Sequence, residues 1–320
     1  MKKKALTSTI NYGCLLGTFS LLALLPLWVL YRLSDITYLL IYHTVKYRRR
    51  VVRDNLTKCF PEKPAEELTK IEKQFYRNFS DYIFETIKLL HISDKTIKKR
   101  MTFEGVKYID KNIAEGRDVI VYFSHTGNWE WTPSICLHSS EACKPNVEFG
   151  QIYRPLKNHA FDRLMLKIRG RFGSRSIPKA TALRQFVKYR RDDIRFVVGF
   201  MSDQTPKHDS TRLIVDMFGR PTAAVTGTET LARRLDTATV YWHMTKPSRG
   251  HYHIRVMPMC TNASETAPEE LTKEYFRLLE KNIKEQPSLW LWSHKRWKKL
   301  KGVGEHSKNQ ESREHSQTHN

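Results

Sequence analysis

One histidine in this chain stands where its chemistry would be usable. The run Asp118 to Ser124 (DVIVYFS) is short, apolar and rich in β-branched residues, as a buried strand is. It leads straight into His125-Thr126-Gly127-Asn128-Trp129-Glu130-Trp131. A strand followed by a glycine turn and a helix start presents its last residue at the carboxyl edge of a sheet, where α/β proteins bind ligands. Gly127 permits the tight turn, and Asn128 or Thr126 can cap the helix after it. Residues five apart on one helix do not face each other. His125 and Glu130 therefore meet only if His125 precedes the helix and Glu130 lies in its first turn. The carboxylate would then hold one ring nitrogen while the other takes a proton, which is a general base with an orienting acid. Free backbone N–H groups at the helix start would help hold a developing oxyanion. A lone histidine after a strand is usually a surface or capping residue, and the H-x-x-x-x-E spacing is weak by itself. The intervening Gly127-Asn128-Trp129 makes it more specific.

The surrounding pattern supplies a scaffold for that edge. Pro64 to Leu90 carries Leu68, Ile71, Phe75, Phe79, Ile83, Phe84 and Ile87 at helical spacing, an amphipathic helix on a core. It comes after a helix end at Asn55 to Pro61. Val147 to Tyr153 and Ile194 to Met201 read as further strands, and Arg212 to Phe218 as a strand entering a turn at Gly219-Arg220-Pro221. Asn158 to Ile168, Ala180 to Tyr189, Thr226 to Leu235 and Pro268 to Lys284 read as helices. Thr239 to Thr245 and His251 to Met257 flank a hairpin turn. Alternating strands and helices imply an α/β domain with a largely buried sheet. No internal repeat and no glycine-rich phosphate loop is present.

The first fifty residues speak to location. Lys2, Lys3 and Lys4 precede an uncharged stretch from Tyr12 to Tyr31, and about 20 such residues span a bilayer core. Trp28 and Tyr31 suit the interface, and Pro26 would kink the helix. No small-x-small cleavage site is evident after the stretch. An uncleaved membrane anchor is the favoured reading, a buried core helix the lesser one after Lys-Lys-Lys, and a re-entrant or monotopic helix stays open. Ser34 to Val45 is a second apolar stretch, too short to span. Lys46, Arg48, Arg49, Arg50 and Arg53 favour a cytoplasmic face for the rest of the chain and can bind anionic lipid heads, while Lys2 to Lys4 pull the other way. The expected organisation is an anchor with a basic segment over residues 1–50, a catalytic domain over 51–300 and a disordered polar tail over 301–320.

The net charge of +22, from 55 Lys and Arg against 33 Asp and Glu, calls for anionic partners. Nucleic acid is one such partner, but no reader motif is present and the basic residues are spread along the chain. Five cysteines without a C-x-x-C pair argue against a disulfide framework or a zinc site and fit a reducing compartment. A hydrolase is disfavoured by the lack of a G-x-S-x-G elbow, and Cys136 and Cys143 have no nucleophile context.

The His125 to Glu130 segment resembles the H-x-G-N-W-E signature of the late acyltransferases of lipid A biosynthesis, the lauroyl and myristoyl transferases. Further matches occur in the family's order over roughly residues 10 to 298. They are Arg49-Arg50, Asn55-Leu56 and Cys59-Phe60-Pro61; Tyr153-Arg154-Pro155 with Asn158; Asp203-Gln204; Phe218-Gly219 with Pro221-Thr222; and Trp290-Leu291-Trp292 with His294, Arg296 and Trp297. The resemblance implies a glycerolipid-acyltransferase-like mixed sheet flanked by helices, with an N-terminal membrane helix. It implies a thioester donor, usually acyl carrier protein, a lipid-linked hydroxyl as acceptor, no metal or organic cofactor, and a place at the cell inner membrane with the catalytic domain cytoplasmic. His125 would deprotonate the acceptor hydroxyl and Glu130 would orient His125. Arg154 would contact the oxyanion or a lipid phosphate, and Asn128, Asn158, Asp203 and Gln204 are further candidate substrate contacts. Loop closure is an equal reading for Asp203 and Gln204. Arg169, Arg171, Arg175 and Lys179 form a basic stretch, either a solvated face or a surface for an acidic carrier or lipid heads. Trp290, Trp292 and Trp297 suit either an interfacial belt or the core. Another glycolipid or a glycerophospholipid remains open as acceptor.

Overall fold

The run marked as a buried strand is the middle of a seven-stranded sheet. The computed structural model describes the backbone of residues 2–206 and 213–297, with side chains from residue 12 onward. The central strand, Val119–Phe123, has every residue buried. In chain order the strands are β1 (Met101–Glu104), β2 (Val119–Phe123), β3 (Val147–Tyr153), β4 (Arg175–Pro178), β5 (Arg195–Met201), β6 (Leu213–Asp216), β7 (Pro221–Ala224), β8 (Ala238–Ser248) and β9 (His251–Cys260). The large sheet runs β1-β9-β8-β2-β5-β3-β4, and β6-β7 is a separate hairpin. Within the large sheet neighbours are parallel except β8 and β9, which the turn before His251 makes antiparallel. The sheet is therefore mixed, as expected.

The helices are α1 (Lys2–Leu24), α2 (Leu27–Leu39), α3 (Arg49–Cys59), α4 (Ala65–Lys88), α5 (Asp94–Arg100), α6 (Val106–Ala114), α7 (His159–Arg169), α8 (Ala182–Arg191), α9 (Gly227–Arg234) and α10 (Glu270–Glu285). Alternate residues of β2 serve opposite faces, as the pleat requires. Ile120 and Tyr122 join a core with α8, α9 and α10. Val119, Val121 and Phe123 join a second core with α5, α6 and α7. Gly199 of β5 leaves room for the Phe123 ring, since a Cβ there would lie 2.7 Å from it.

The N-terminal apolar stretch is broken where a single membrane helix was expected. Tyr12 to Tyr31 is not one helix, because Pro26 offers no N–H and its ring obstructs the preceding turn. Helix α1 stops at Leu24, α2 begins at Leu27, and the two arms are bent by 114°. No single helix among the described residues is long and apolar enough to cross a membrane; the bent pair passes by length and composition only. The break is supported from outside: Lys88 Nζ donates to the carbonyls of Ala23 and Leu25, both at 2.8 Å. These carbonyls end α1, where a cation is favoured by the helix dipole. Helix α1 lies against α4 and α7, and α2 lies along α4. Leu21, Leu24, Trp28, Leu39 and Leu40 stay exposed on the bent pair. The polar tail over 301–320 lies outside the described residues.

Candidate active site

Register brings the site together. Phe123 of β2 pairs with Met201 of β5 in a parallel ladder, so the residues two beyond each strand, His125 and Asp203, fall at the same height. His125 Nδ1 lies 2.7 Å from Asp203 Oδ1, and the His125 backbone N–H donates to Asp203 Oδ2 at 3.0 Å. Trp290 Nε1 donates to the same Oδ2 at 2.9 Å. Burial pushes the Asp203 carboxyl up, but the His125 charge and these three donors outweigh it and hold it down to about 2. Asp203 is thus an ionised acceptor for Nδ1–H, which leaves the lone pair of a neutral ring on Nε2. Gln204 places its amide nitrogen 3.2 Å from that Nε2.

Glu130 is not the partner of His125. Arg169 takes it in a two-pronged pair, Nε to Oε2 at 2.7 Å and Nη2 to Oε1 at 2.6 Å. Tyr82 of α4 reaches Oε1 from 3.5 Å. The reason lies in the local backbone. Trp129–Leu137 is a 3-10 helix with Pro133 inside it, rather than an α-helix, and Glu130 in its first turn sits against α7. Glu130 still touches His125 at one remove. Tyr82 packs on Trp129 with ring centroids 4.2 Å apart, and Trp129 meets the imidazole edge-on at 5.1 Å.

Asn128 caps nothing through its side chain. Its Nδ2 donates to Oε2 of Glu85 at 2.7 Å, and Trp131 Nε1 donates to the Glu85 carbonyl at 3.0 Å. Tyr31 and Tyr252 add hydroxyl donors to the Glu85 carboxylate at 3.1 and 2.8 Å. Burial pushes the Glu85 carboxyl up. The turn itself needs Gly127, at φ +60° with Met244 Sδ 2.6 Å from where a Cβ would lie. The chain's closing segment holds it from below: Gly127 N–H donates to Leu289 O, and Leu291 N–H to His125 O, both at 3.0 Å.

The other candidates divide. Arg154 comes directly after β3 at the same edge of the sheet, is exposed, and has no partner among the described residues. Asn158 is the N-cap of α7, accepting from Phe161 N–H at 3.1 Å, and so has a structural use. Asp203 serves the histidine as well as closing its loop. Trp290 and Trp292 are core residues, both buried. Most of the basic stretch is committed: Arg169 to Glu130, Arg171 to Asp94 at 3.7 Å, and Arg175 to Glu148 at 2.6 Å. Arg49 and Arg53 both bind Glu72, at 3.1 and 2.6 Å, rather than standing free. Among the described residues no group of three or more His, Cys, Asp or Glu could hold a metal ion.

Sequence reasoning missed Glu85, Tyr82 and the contact of Asp203 with His125. The last had a signal: two apolar strands, VIVYF and FVVGFM, each end in a serine followed by an ionisable residue.

A mixed sheet that sets a histidine and a buried aspartate side by side at its carboxyl edge places them where α/β enzymes hold their ligands. Residues 1–299 match the model of the bacterial lipid A biosynthesis acyltransferases, and the chain belongs to that family. It is an O-acyltransferase of lipid A biosynthesis. Over 289 residues it is 25% identical to a lipid A biosynthesis acyltransferase of Haemophilus influenzae, covering 88% of this chain and 86% of the relative. It is 26% identical over 291 residues to the lipid A biosynthesis lauroyltransferase of Escherichia coli K12, covering 88% and 90%. The lipid A biosynthesis palmitoleoyltransferase of the same organism is 24% identical over 273 residues, covering 82% of each.

Proposed function

We propose that the protein moves a fatty acyl group from the thioester of acyl carrier protein to a hydroxyl of a lipid A precursor, with His125 as general base and Asp203 as its orienting acid. The observation that carries this reading is the 2.7 Å contact from His125 Nδ1 to Asp203, which leaves Nε2 as proton acceptor. The acceptor hydroxyl displaces the Gln204 amide from Nε2 and loses its proton there as its oxygen attacks the thioester carbonyl. The tetrahedral intermediate collapses, the C–S bond breaks, and the imidazolium returns its proton to the leaving thiolate. The products are an ester and a free thiol. Arg154, exposed and unpaired among the described residues at the sheet edge, serves the oxyanion or a phosphate of the acceptor. Glu130 and Arg169 position Trp129 and, through it, the imidazole.

The enzyme works at the cell inner membrane with its catalytic face cytoplasmic. Support comes from the exposed apolar side chains of the bent pair, with Leu21 70%, Leu24 64% and Trp28 69% exposed. The test is a transfer assay in detergent with labelled acyl carrier protein and a lipid A precursor or a glycerophospholipid. His125→Ala should lower kcat about 100- to 10,000-fold. Undiminished transfer by that variant would remove the general base, and a preference for the glycerophospholipid would change the acceptor.

A further inference from the structure

Beside the catalytic loop lies a cavity of about 630 Å³, between α2, α4 and the β8–β9 hairpin. It is of the size of a small-molecule site, but its walls are polar and charged. Gln74, Arg77, Asn78 and Asp81 come from α4, and Lys246 and Arg249 from the hairpin. Helix α4 ties it to the chemistry. Gln74, Asn78 and Tyr82 are spaced four apart and share one helix face. Tyr82 packs on Trp129, which meets His125. The cavity therefore begins one helical turn, about 6 Å, from the aromatic contact to the base. Ser288 and Leu289 complete the near wall, and Leu289 O holds the Gly127 turn.

The charged groups of this cavity leave their spare hydrogen-bonding capacity on donors. Both Asp81 oxygens are used, by Arg249 at 2.6 to 3.1 Å, by Lys246 at 3.3 Å and by Ser34 at 2.7 Å. Asp35 is taken by Arg249 at 2.7 Å. Lys246, with only 8% of its side chain exposed, spends bonds on Asn78 at 2.9 Å and on Asp81, and an ammonium has a third to give. Arg77 has no acid partner among the described residues and only rests over the Tyr38 ring at 5.2 Å. Three cations thus face two carboxylates that are already satisfied. The far rim is different in kind: Leu39, which lines the cavity, is 53% exposed, and Ile36 and Leu40 beside it are 55% and 52% exposed. A polar, donor-rich cavity rimmed by an apolar helix fits an amphiphile whose head is rich in acceptors and negatively charged.

We propose that this cavity holds the phosphorylated sugar headgroup of the acceptor, with Arg77 and Lys246 on phosphate and Gln74, Ser248 and Ser288 on sugar hydroxyls. This rests on the acyl-transfer reading and adds to it the place where the acceptor is recognised. Its acyl chains then lie along α2, and a sugar hydroxyl extends along α4 toward His125.

Two measurements on the full chain in detergent test it. In the first, glucosamine 1-phosphate is titrated as a probe against the native protein, with inorganic phosphate and glucosamine as comparisons, and binding is read by calorimetry. Saturable binding of the sugar phosphate that weakens at least tenfold in Arg77→Glu and returns in Arg77→Lys is expected. No binding, or binding indifferent to Arg77→Glu, overturns the proposal; equal affinity for inorganic phosphate would make the cavity a phosphate site without sugar recognition, which also overturns it. In the second, transfer kinetics are compared with Arg191→Glu as a charge control. Arg77→Glu should raise the acceptor KM at least tenfold and leave the donor KM within about twofold. A rise in donor KM instead would assign the cavity to the donor. If the native protein transfers to no phosphorylated glycolipid, the acyl-transfer reading fails, while the binding titration still decides what the cavity holds.

Discussion

Asp203 and Glu130 flank the same histidine loop, both almost fully buried, and their partners differ in kind. Asp203 accepts from an imidazole, a ring that can give and take a proton. Glu130 is gripped at two points by Arg169, a guanidinium that never gives up its proton. Under the proposed mechanism one carboxylate follows a proton transfer and the other fixes a position. The motif that joins His125 and Glu130 in sequence thus separates in space: the acid nearest in the chain pairs with Arg169, and an acid brought by a neighbouring strand meets the imidazole, which is the basis of the orienting role proposed for Asp203.

Removing the orienting acid should have the largest effect. Asp203→Asn keeps the shape but turns the ring toward the wrong tautomer, and kcat should fall on the order of a thousand- to ten-thousandfold, as for other His–Asp pairs. A fall below tenfold in the transfer assay would erase the distinction drawn between the two acids.

Breaking the anchoring pair should show first as lost stability. Arg169→Ala leaves Glu130 buried without its cation, and about 3–5 kcal/mol should go, measured by denaturant unfolding. Glu130→Leu combined with Arg169→Met should restore much of that stability. Activity should stay low in the double variant, because Trp129 is no longer held in place. Full activity there would mean that the pair does not position the imidazole.

The pH dependence separates the two acids further. Asp203 has its carboxyl lowered from 3.8 to about 2 in the folded protein. A group depressed on folding contributes stability above its unfolded value, and loses it as pH falls through the folded one. That contribution is about 2 kcal/mol, present at neutral pH and declining from about pH 5 toward pH 2. The stability difference between native and Asp203→Asn should shrink over that window. A difference constant down to pH 2 would contradict the charge assigned to Asp203.

The smallest effect tests a residue that family likeness marks and local geometry explains. Asn158→Ala removes the cap of α7 and should cost about 1 kcal/mol of stability, with transfer kinetics close to native. A large rise in KM would give Asn158 back to the substrate.

Much of the scaffold was legible because its elements are strongly periodic. The amphipathic stripe of α4, the apolar runs of β2, β3 and β5, and the β8–β9 hairpin appear within a few residues of where pattern places them. Short elements such as α6, β1 and β4 carry too few residues to show a period. In the apolar N-terminal stretch Pro26 marked where the helix would kink, but not the size of the bend, 114°, nor the hold that Lys88 takes on its carbonyls, because hydropathy sees only composition. Of the residues proposed for the site, His125 and the Gly127 turn were marked by local order. The partner of His125 was not, since parallel register is a non-local fact: 78 residues separate His125 from Asp203. Glu85 was hidden for a related reason, being a buried acid on α4 whose donors come from α2, β9 and the turn after β2.

The most direct measurement of the central claim is the state of the His125 ring, read by nitrogen NMR on protein labelled in its histidines. In the native enzyme near pH 8 the proton should reside on Nδ1, with a low-field resonance from its bond to Asp203. That signal should vanish in Asp203→Asn and persist in Glu130→Gln. A proton on Nε2 in the native protein, or a signal lost in Glu130→Gln and kept in Asp203→Asn, would contradict Asp203 as the orienting acid.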